Sequence, residues 1–184
     1  MLNMKTLTNW PALAAMVAVG ILAGCSQTMK SPDVSADIRR ALDQAGLKKV
    51  SINQDRDKGV VTLGGEVEAD GAKAQAEDIA RSIAGAQVVS DQIAVVPLGA
   101  ESDARTINSD LDKGIALNLD AVLIQSKLHD GVKYAVKNRV VTLTGEVDSQ
   151  SRRREAEKVA GSVPYVQQVV NELQVKNQKA TSSE

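Results

Sequence analysis

Apolar and polar positions along this chain change their period several times, and each change marks an element. Residues 11–23 are an almost unbroken apolar run. From residue 34 the pattern turns amphipathic. Ile38, Ala41, Leu42 and Ala45 keep helical spacing and predict a helix over 36–44, stopped at Gly46. A short strand is predicted around 50–52. The turn residues of 55–59 lead into a second strand over 60–67, where Val61, Leu63, Gly65 and Val67 share one face by period-two alternation. Ala72, Ala76, Ile79, Ala80 and Ile83 then return to helical spacing over 69–84, and Val89, Ile93 and Val95 mark a last strand over 87–96.

The same order is written twice. Gly59-Val-Val-Thr-Leu-Gly-Gly-Glu-Val67 and Arg139-Val-Val-Thr-Leu-Thr-Gly-Glu-Val147 differ at two positions and lie about 80 residues apart. Ala76-Glu77 answers Ala156-Glu157, Ala80 answers Ala160, and Val89 answers Val169 at the same offset. Module two therefore predicts a helix ending at Leu128, strands over 132–136 and 140–147, a helix over 149–162 and a strand over 166–175. The fold class is α+β: two tandem α-β-β-α-β modules, each a small mixed three-stranded sheet with two helices on one face. The module boundaries are 34–97 and 117–176, joined by a linker over 98–116 with helical character and followed by a disordered tail over 177–184. Leu111, Ile115, Leu119, Val122, Leu123 and Ile124 also recur near helical spacing. Two readings of that stretch stand open. Its first part packs on module one as a long amphipathic helix, or its apolar edge rests on a membrane surface with Lys113, Lys127 and Lys133 nearby.

The amino terminus is an address. Lys5 supplies a positive start, and the run over 11–23 is shorter than the roughly 20 residues that span a bilayer, so it predicts a secretory signal. Leu22-Ala23-Gly24-Cys25 resembles the lipobox of bacterial lipoproteins. That resemblance implies a signal peptide over 1–24, diacylglyceryl and further acyl chains at Cys25, and a tether over 25–33. Ser26 after the cysteine resembles the sorting signal for the outer membrane, on its periplasmic face.

Composition narrows the chemistry. The 184 residues carry a net charge of -1, with 43% hydrophobic, 24% charged and only 2% aromatic residues. No basic excess and almost no stacking residues argue against a nucleic-acid partner. A single histidine (His129) and a single cysteine (Cys25) predict no zinc site, no disulfide framework and no nucleophile–base pair. The chain is accordingly read as a non-enzyme without cofactor or metal. Glu66 and Glu146, at matching strand positions, read as solvated charges, and His129 as a favourable charge after a helix end. Gly65 and Gly145 mark either a bend or a close approach by a ligand.

Together these motifs resemble tandem BON domains behind a lipobox, the arrangement of dual-BON outer-membrane lipoproteins. The resemblance covers about residues 34 to 176. It implies a non-catalytic envelope module that binds phospholipid or maintains the outer membrane, including under osmotic stress. It also makes the second domain and its first helix the lipid-engaging part. Charge points the same way: residues 33–97 hold eight basic and eleven acidic side chains, residues 117–176 nine and seven. Arg152, Arg153 and Arg154, with Lys127, Lys133, Leu119, Val122 and Leu123, are the candidate contacts for anionic phospholipid. For the arginines, a solvated helix face with Arg–Glu pairs is the competing reading. The partner alternative is an adaptor that docks on an envelope assembly or outer-membrane protein, with an exposed sheet edge able to recruit a partner strand.

Overall fold

The computed structural model describes residues 30–176. The expected signal peptide, Cys25 and the tail over 177–184 lie outside the described residues. In module one, α1 (Ser35–Gln44) buries Ile38 and Leu42 and ends at Gly46, whose φ of 78° lets Leu47 N–H donate back to Leu42 O at 2.9 Å. The chain then forms β1 (Val50–Asp55), β2 (Val60–Val67) and α2 (Asp70–Ala84). β1 and β2 are antiparallel, with Ile52 opposite Leu63. After α2 comes not one strand but two, β3 (Val88–Asp91) and β4 (Ala94–Val95), both parallel to β2. The continuous strand expected over 87–96 is thus interrupted at Gln92–Ile93. The register is kept across the gap, and the interruption lies beside Gly64–Gly65, where β2 turns through a positive φ of 93° at Gly65.

Module two repeats this with α3 (Glu101–Gln125), β5 (Val132–Lys137), β6 (Val140–Val147), α4 (Gln150–Gly161), β7 (Gln168–Asn171) and β8 (Gln174–Val175). Its last strand is interrupted in the same way. Each core lies between a sheet and its two helices: Ile38, Leu42, Leu63 and Ala80 in module one, and Leu119, Leu123, Leu143 and Ala160 in module two. Where module one has Gly46, module two has Lys127, also left-handed (φ 55°), and Leu128 N–H donates to Leu123 O at 2.9 Å.

There is no linker break between the modules. Residues expected as linker are largely the first half of α3, which runs unbroken from Glu101. Arg105 on that half makes a two-pronged contact with Glu66 of β2, at 2.8 Å on each prong. Farther along, both oxygens of Asp112 accept the main-chain N–H groups of Asn138 and Arg139, at 2.8 Å each. These two residues have φ of 48° and 65° and close the β5–β6 hairpin. The helix is therefore tied to both modules, and the cap-rich sequence over 102–110 lies inside it.

The modules also meet directly through the sheet faces that carry no helices, where Val60, Val140 and Val170 are buried together. The contact is nearly two-fold. Lys58 in the β1–β2 turn pairs with Glu172 at 2.5 Å, and Asn138 in the β5–β6 turn donates to Gln92 O at 2.6 Å. Gln168 completes the seam by accepting from Asp91 N–H (3.0 Å) and donating to Val89 O (2.7 Å).

Candidate functional site

The second half of α3 has two apolar faces. Ile115, Leu119 and Leu123 point into the core and are essentially without exposure, so Leu119 and Leu123 are not available as lipid contacts. Val122 is partly buried against the same core. Helical spacing alone does not separate these core positions from surface ones. Leu117 (74% exposed) and Ile124 (56% exposed) lie on the opposite side, and Ile107 is exposed farther up the helix. A hollow of about 390 Å³ beside Ile107 and Gly114 is flanked by Tyr165, itself 70% exposed. The outward apolar stripe of α3 carries Leu117 and Ile124, seven residues apart and so close to two whole turns, while Ile107 lies about 80° round the helix from them.

The three arginines at the start of α4 have three different fates. Arg152 donates to Lys127 O at 3.2 Å and Ser126 O at 3.4 Å, satisfying carbonyls at the end of α3. Arg153 donates to Leu173 O (3.0 Å) and Asn171 O (2.8 Å), holding the gap between β7 and β8. Its counterpart Lys73 does the same job in module one, donating to Ile93 O at 3.0 Å. Two of the three candidate arginines are thus committed to the fold. Arg154, Lys127 and Lys133 are exposed.

Glu66 is a half-exposed strand charge paired with Arg105. The Arg105 guanidinium holds its carboxyl below the ordinary glutamate range. Glu146, at the matching position, is exposed. His129 follows α3 with Nε2 3.3 Å from Asp120 and Nδ1 3.8 Å from Asp130. Among the described residues no cluster of three or more His, Cys, Asp or Glu could hold a metal ion, and no helix is long and apolar enough to cross a membrane.

The seam contains a buried acid that sequence reading missed. Asp91 is 5% exposed, accepts Ile93 N–H at 3.1 Å, and has Lys73 Nζ 3.8 Å away. Burial pushes its carboxyl above the ordinary aspartate range, with Glu77 adding to the rise and Ile93 N–H and Lys73 opposing it. In module two the same place is held by Asn171, whose side-chain oxygen accepts Leu173 N–H at 3.2 Å. Aligning the two repeats would have exposed this Asp/Asn difference. Because native Asp91 holds its proton more tightly than the unfolded chain does, its contribution to stability falls as pH rises through the interval above 3.8. Asp91→Asn is therefore expected to raise stability at pH 7 by about 1 kcal/mol, or about 2–4 °C in Tm for a chain of this size. The gain should vanish near pH 3. Thermal melts at both pH values check this, and a variant less stable at pH 7 contradicts it.

Two helices packed on one face of a small mixed sheet, repeated and joined through α3, define a double α+β module. Residues 31–97 and 111–177 each match the family model of the BON domain, and the chain belongs to that family with two copies. The second match begins inside α3, ahead of the expected boundary at 117. The chain is similar to Osmotically-inducible protein Y of Escherichia coli (strain K12), with 32% identity over 155 residues, covering 80% of this chain and 74% of that protein. An uncharacterized protein of Anaplasma centrale is 34% identical over 73 residues, 40% of this chain and 48% of that one. Among solved structures, CdsD, a structural protein of the type III secretion system of Chlamydia trachomatis, is 14% identical over 76% of this chain and 60% of that chain. Its TM-score is 0.31.

Proposed function

We propose that this protein is a non-catalytic component of the bacterial envelope. Cys25 anchors it by lipid to the periplasmic face of the outer membrane, and its second module lies against anionic phospholipid. The role is envelope integrity, with osmotic stress as the inducing condition suggested by the name of the Escherichia coli relative. The observation that carries the lipid contact is the outward stripe of α3, where Leu117 and Ile124 are exposed directly opposite the core face. Lys113, one turn before Leu117, and Lys127, just past Ile124, place basic side chains at both ends of that stripe. An apolar strip with flanking lysines suits a surface that is oily at depth and negative at its rim.

Vesicle sedimentation of the unlipidated chain from residue 26 onward tests this reading. Binding to vesicles containing phosphatidylglycerol is expected to exceed binding to neutral vesicles. It should weaken as the Debye length falls from about 10 Å at 0.1 M salt to about 3 Å at 1 M. Leu117→Asp/Ile124→Asp should weaken it at least tenfold, roughly 1.4 kcal/mol, because partial burial of the two side chains is lost. Binding that ignores salt and survives the double substitution overturns the lipid reading of α3. Membrane fractionation of Cys25→Ala tests the anchor separately, with release from the membrane expected.

A further inference from the structure

β5 is the outer strand of the second sheet, and the structure shows which of its main-chain groups are spent. Glu146 N–H donates to Gly131 O at 3.0 Å, and the register then pairs Lys133 with Thr144, Ala135 with Thr142 and Lys137 with Val140. Antiparallel hydrogen bonding alternates, so those three residues turn their N–H and C=O groups toward β6. Tyr134 and Val136 turn theirs the other way. Both ends of this outer edge are closed: Val132 N–H is taken by Leu128 O, and Asn138 and Arg139 N–H are taken by Asp112. Between them, no hydrogen bond from the described residues reaches the outward groups of Tyr134 and Val136.

A groove of about 670 Å³ lies at this stretch. One wall is β5, and the others are the first half of α3, the Glu66–Arg105 pair and Ala94 of module one. In module one the contacts to the corresponding strand fall at its two ends. Arg39 takes Val50 O, and the chain's own segment lies against the other end of β1. There Ser31 N–H donates to Arg56 O at 2.8 Å, Arg56 Nε donates to Ser31 O at 2.8 Å, and Val34 N–H donates to Gln54 Oε1 at 3.1 Å. Module one thus lays extended chain against the turn end of its edge strand, whereas the middle of β5 faces a groove.

Charge narrows the occupant. Lys133 and Lys137 project from the same face of β5 on either side of Ala135, and all three are exposed. A strand laid beside β5 would bring its own side chains next to these lysines, where like charges repel and carboxylates attract. Lysines on an open edge also discourage indiscriminate pairing, so they favour an acidic occupant over a basic or purely apolar one.

We propose that the open edge of β5 takes up an extended acidic segment of a partner protein by strand addition. Its main chain pairs with Tyr134 and Val136, and its carboxylates meet Lys133 and Lys137. This site is distinct from the outward stripe of α3 and does not depend on the lipid reading.

Fluorescence anisotropy with two end-blocked nonapeptides tests it on the unlipidated chain from residue 26 onward, which retains all described residues. One peptide alternates valine and glutamate, the other valine and lysine. The acidic peptide is expected to bind at least tenfold more tightly, shifting the amide resonances of Tyr134 and Val136. Val136→Pro removes one outward N–H without touching the β6 ladder and should weaken binding at least tenfold. Lys133→Glu/Lys137→Glu, two exposed changes that leave the core intact, should reverse the preference between the peptides. No binding of the acidic peptide at 1 mM overturns the proposal, and so does equal binding by the charge-reversed variant. If that variant loses only binding to phosphatidylglycerol vesicles, while neither peptide binds the parent chain, the lysines belong to a membrane contact and the strand-addition site is refuted.

Discussion

Alanine at Gly65 or Gly145 is expected to destabilise the protein by more than about 4 kcal/mol, a loss few point substitutions reach. Both residues lie in the middle strand of a sheet with φ of 93° and 114°, a region that side chains other than glycine enter only with strain. A Cβ on Gly65 would stand 2.2 Å from Lys49 O, and one on Gly145 would stand 2.4 Å from Gly131 O. These obstacles are main-chain oxygens at the start of the neighbouring strand, so relief requires pulling the hairpin apart. The carbonyls fill the space where a side chain would stand beside each glycine, so the bend in the strand accounts for both residues. Gly114 in the exposed α3 is the control. A Cβ there meets nothing within 4 Å, and Gly114→Ala should stabilise by about 1 kcal/mol through helix propensity. Urea denaturation measures all three, and a cost within 1 kcal/mol at Gly145 would show that the β5–β6 hairpin yields easily.

Arg153→Ala should cost about 2–3 kcal/mol, while its neighbour Arg154→Ala stays within about 0.5 kcal/mol. The first loses charge-assisted bonds to Leu173 O and Asn171 O, and the carbonyls in the β7–β8 gap lose their donor. The second is an exposed side chain. Arg153→Lys should recover part of the loss, because Lys73 fills the equivalent role with a single bond to Ile93 O. Thermal melts separate the three variants. Equal effects at 153 and 154 would mean that the strand gap needs no cation. The practical consequence concerns membrane assays: a combined substitution of all three arginines loosens module two, so its vesicle binding has to be read against its folded fraction. Arg154, Lys127 and Lys133 can be changed with less risk to the fold.

Most of each module was legible because its signals are local. Ile38 and Leu42 one turn apart, and Val61 and Leu63 two residues apart, report helix and strand through backbone geometry alone. The duplication strengthened every assignment, since the two copies of Val-Val-Thr-Leu had to fold alike. The phase of α3 was harder. Leu117, Leu119, Leu123 and Ile124 are similar in chemistry, and choosing the buried pair needs the position of the sheet beneath them. The polar stretch over 102–110 offers several capping side chains and so resembled a boundary. It is helix instead, and on it Arg105 meets Glu66, thirty-nine residues earlier in the chain. The interrupted last strands were hidden for a related reason: the bend that causes them is in β2 and β6, not in the strands that break.

The sequence by itself determined that there are two equivalent modules, the order of their elements, and the residue types of each core. Those follow from periodicity and repetition, which depend on residues within a turn or two of one another. Tertiary structure alone decided which basic side chains are free. Arg152, Arg153 and Arg154 are identical as letters, yet one closes a helix end, one props a strand gap and one faces solvent. It also decided that Asp91 is buried at the seam and that β5 keeps an open edge. A side chain's charge belongs to the residue, but its availability depends on carbonyls and carboxylates that only folding brings within hydrogen-bonding distance.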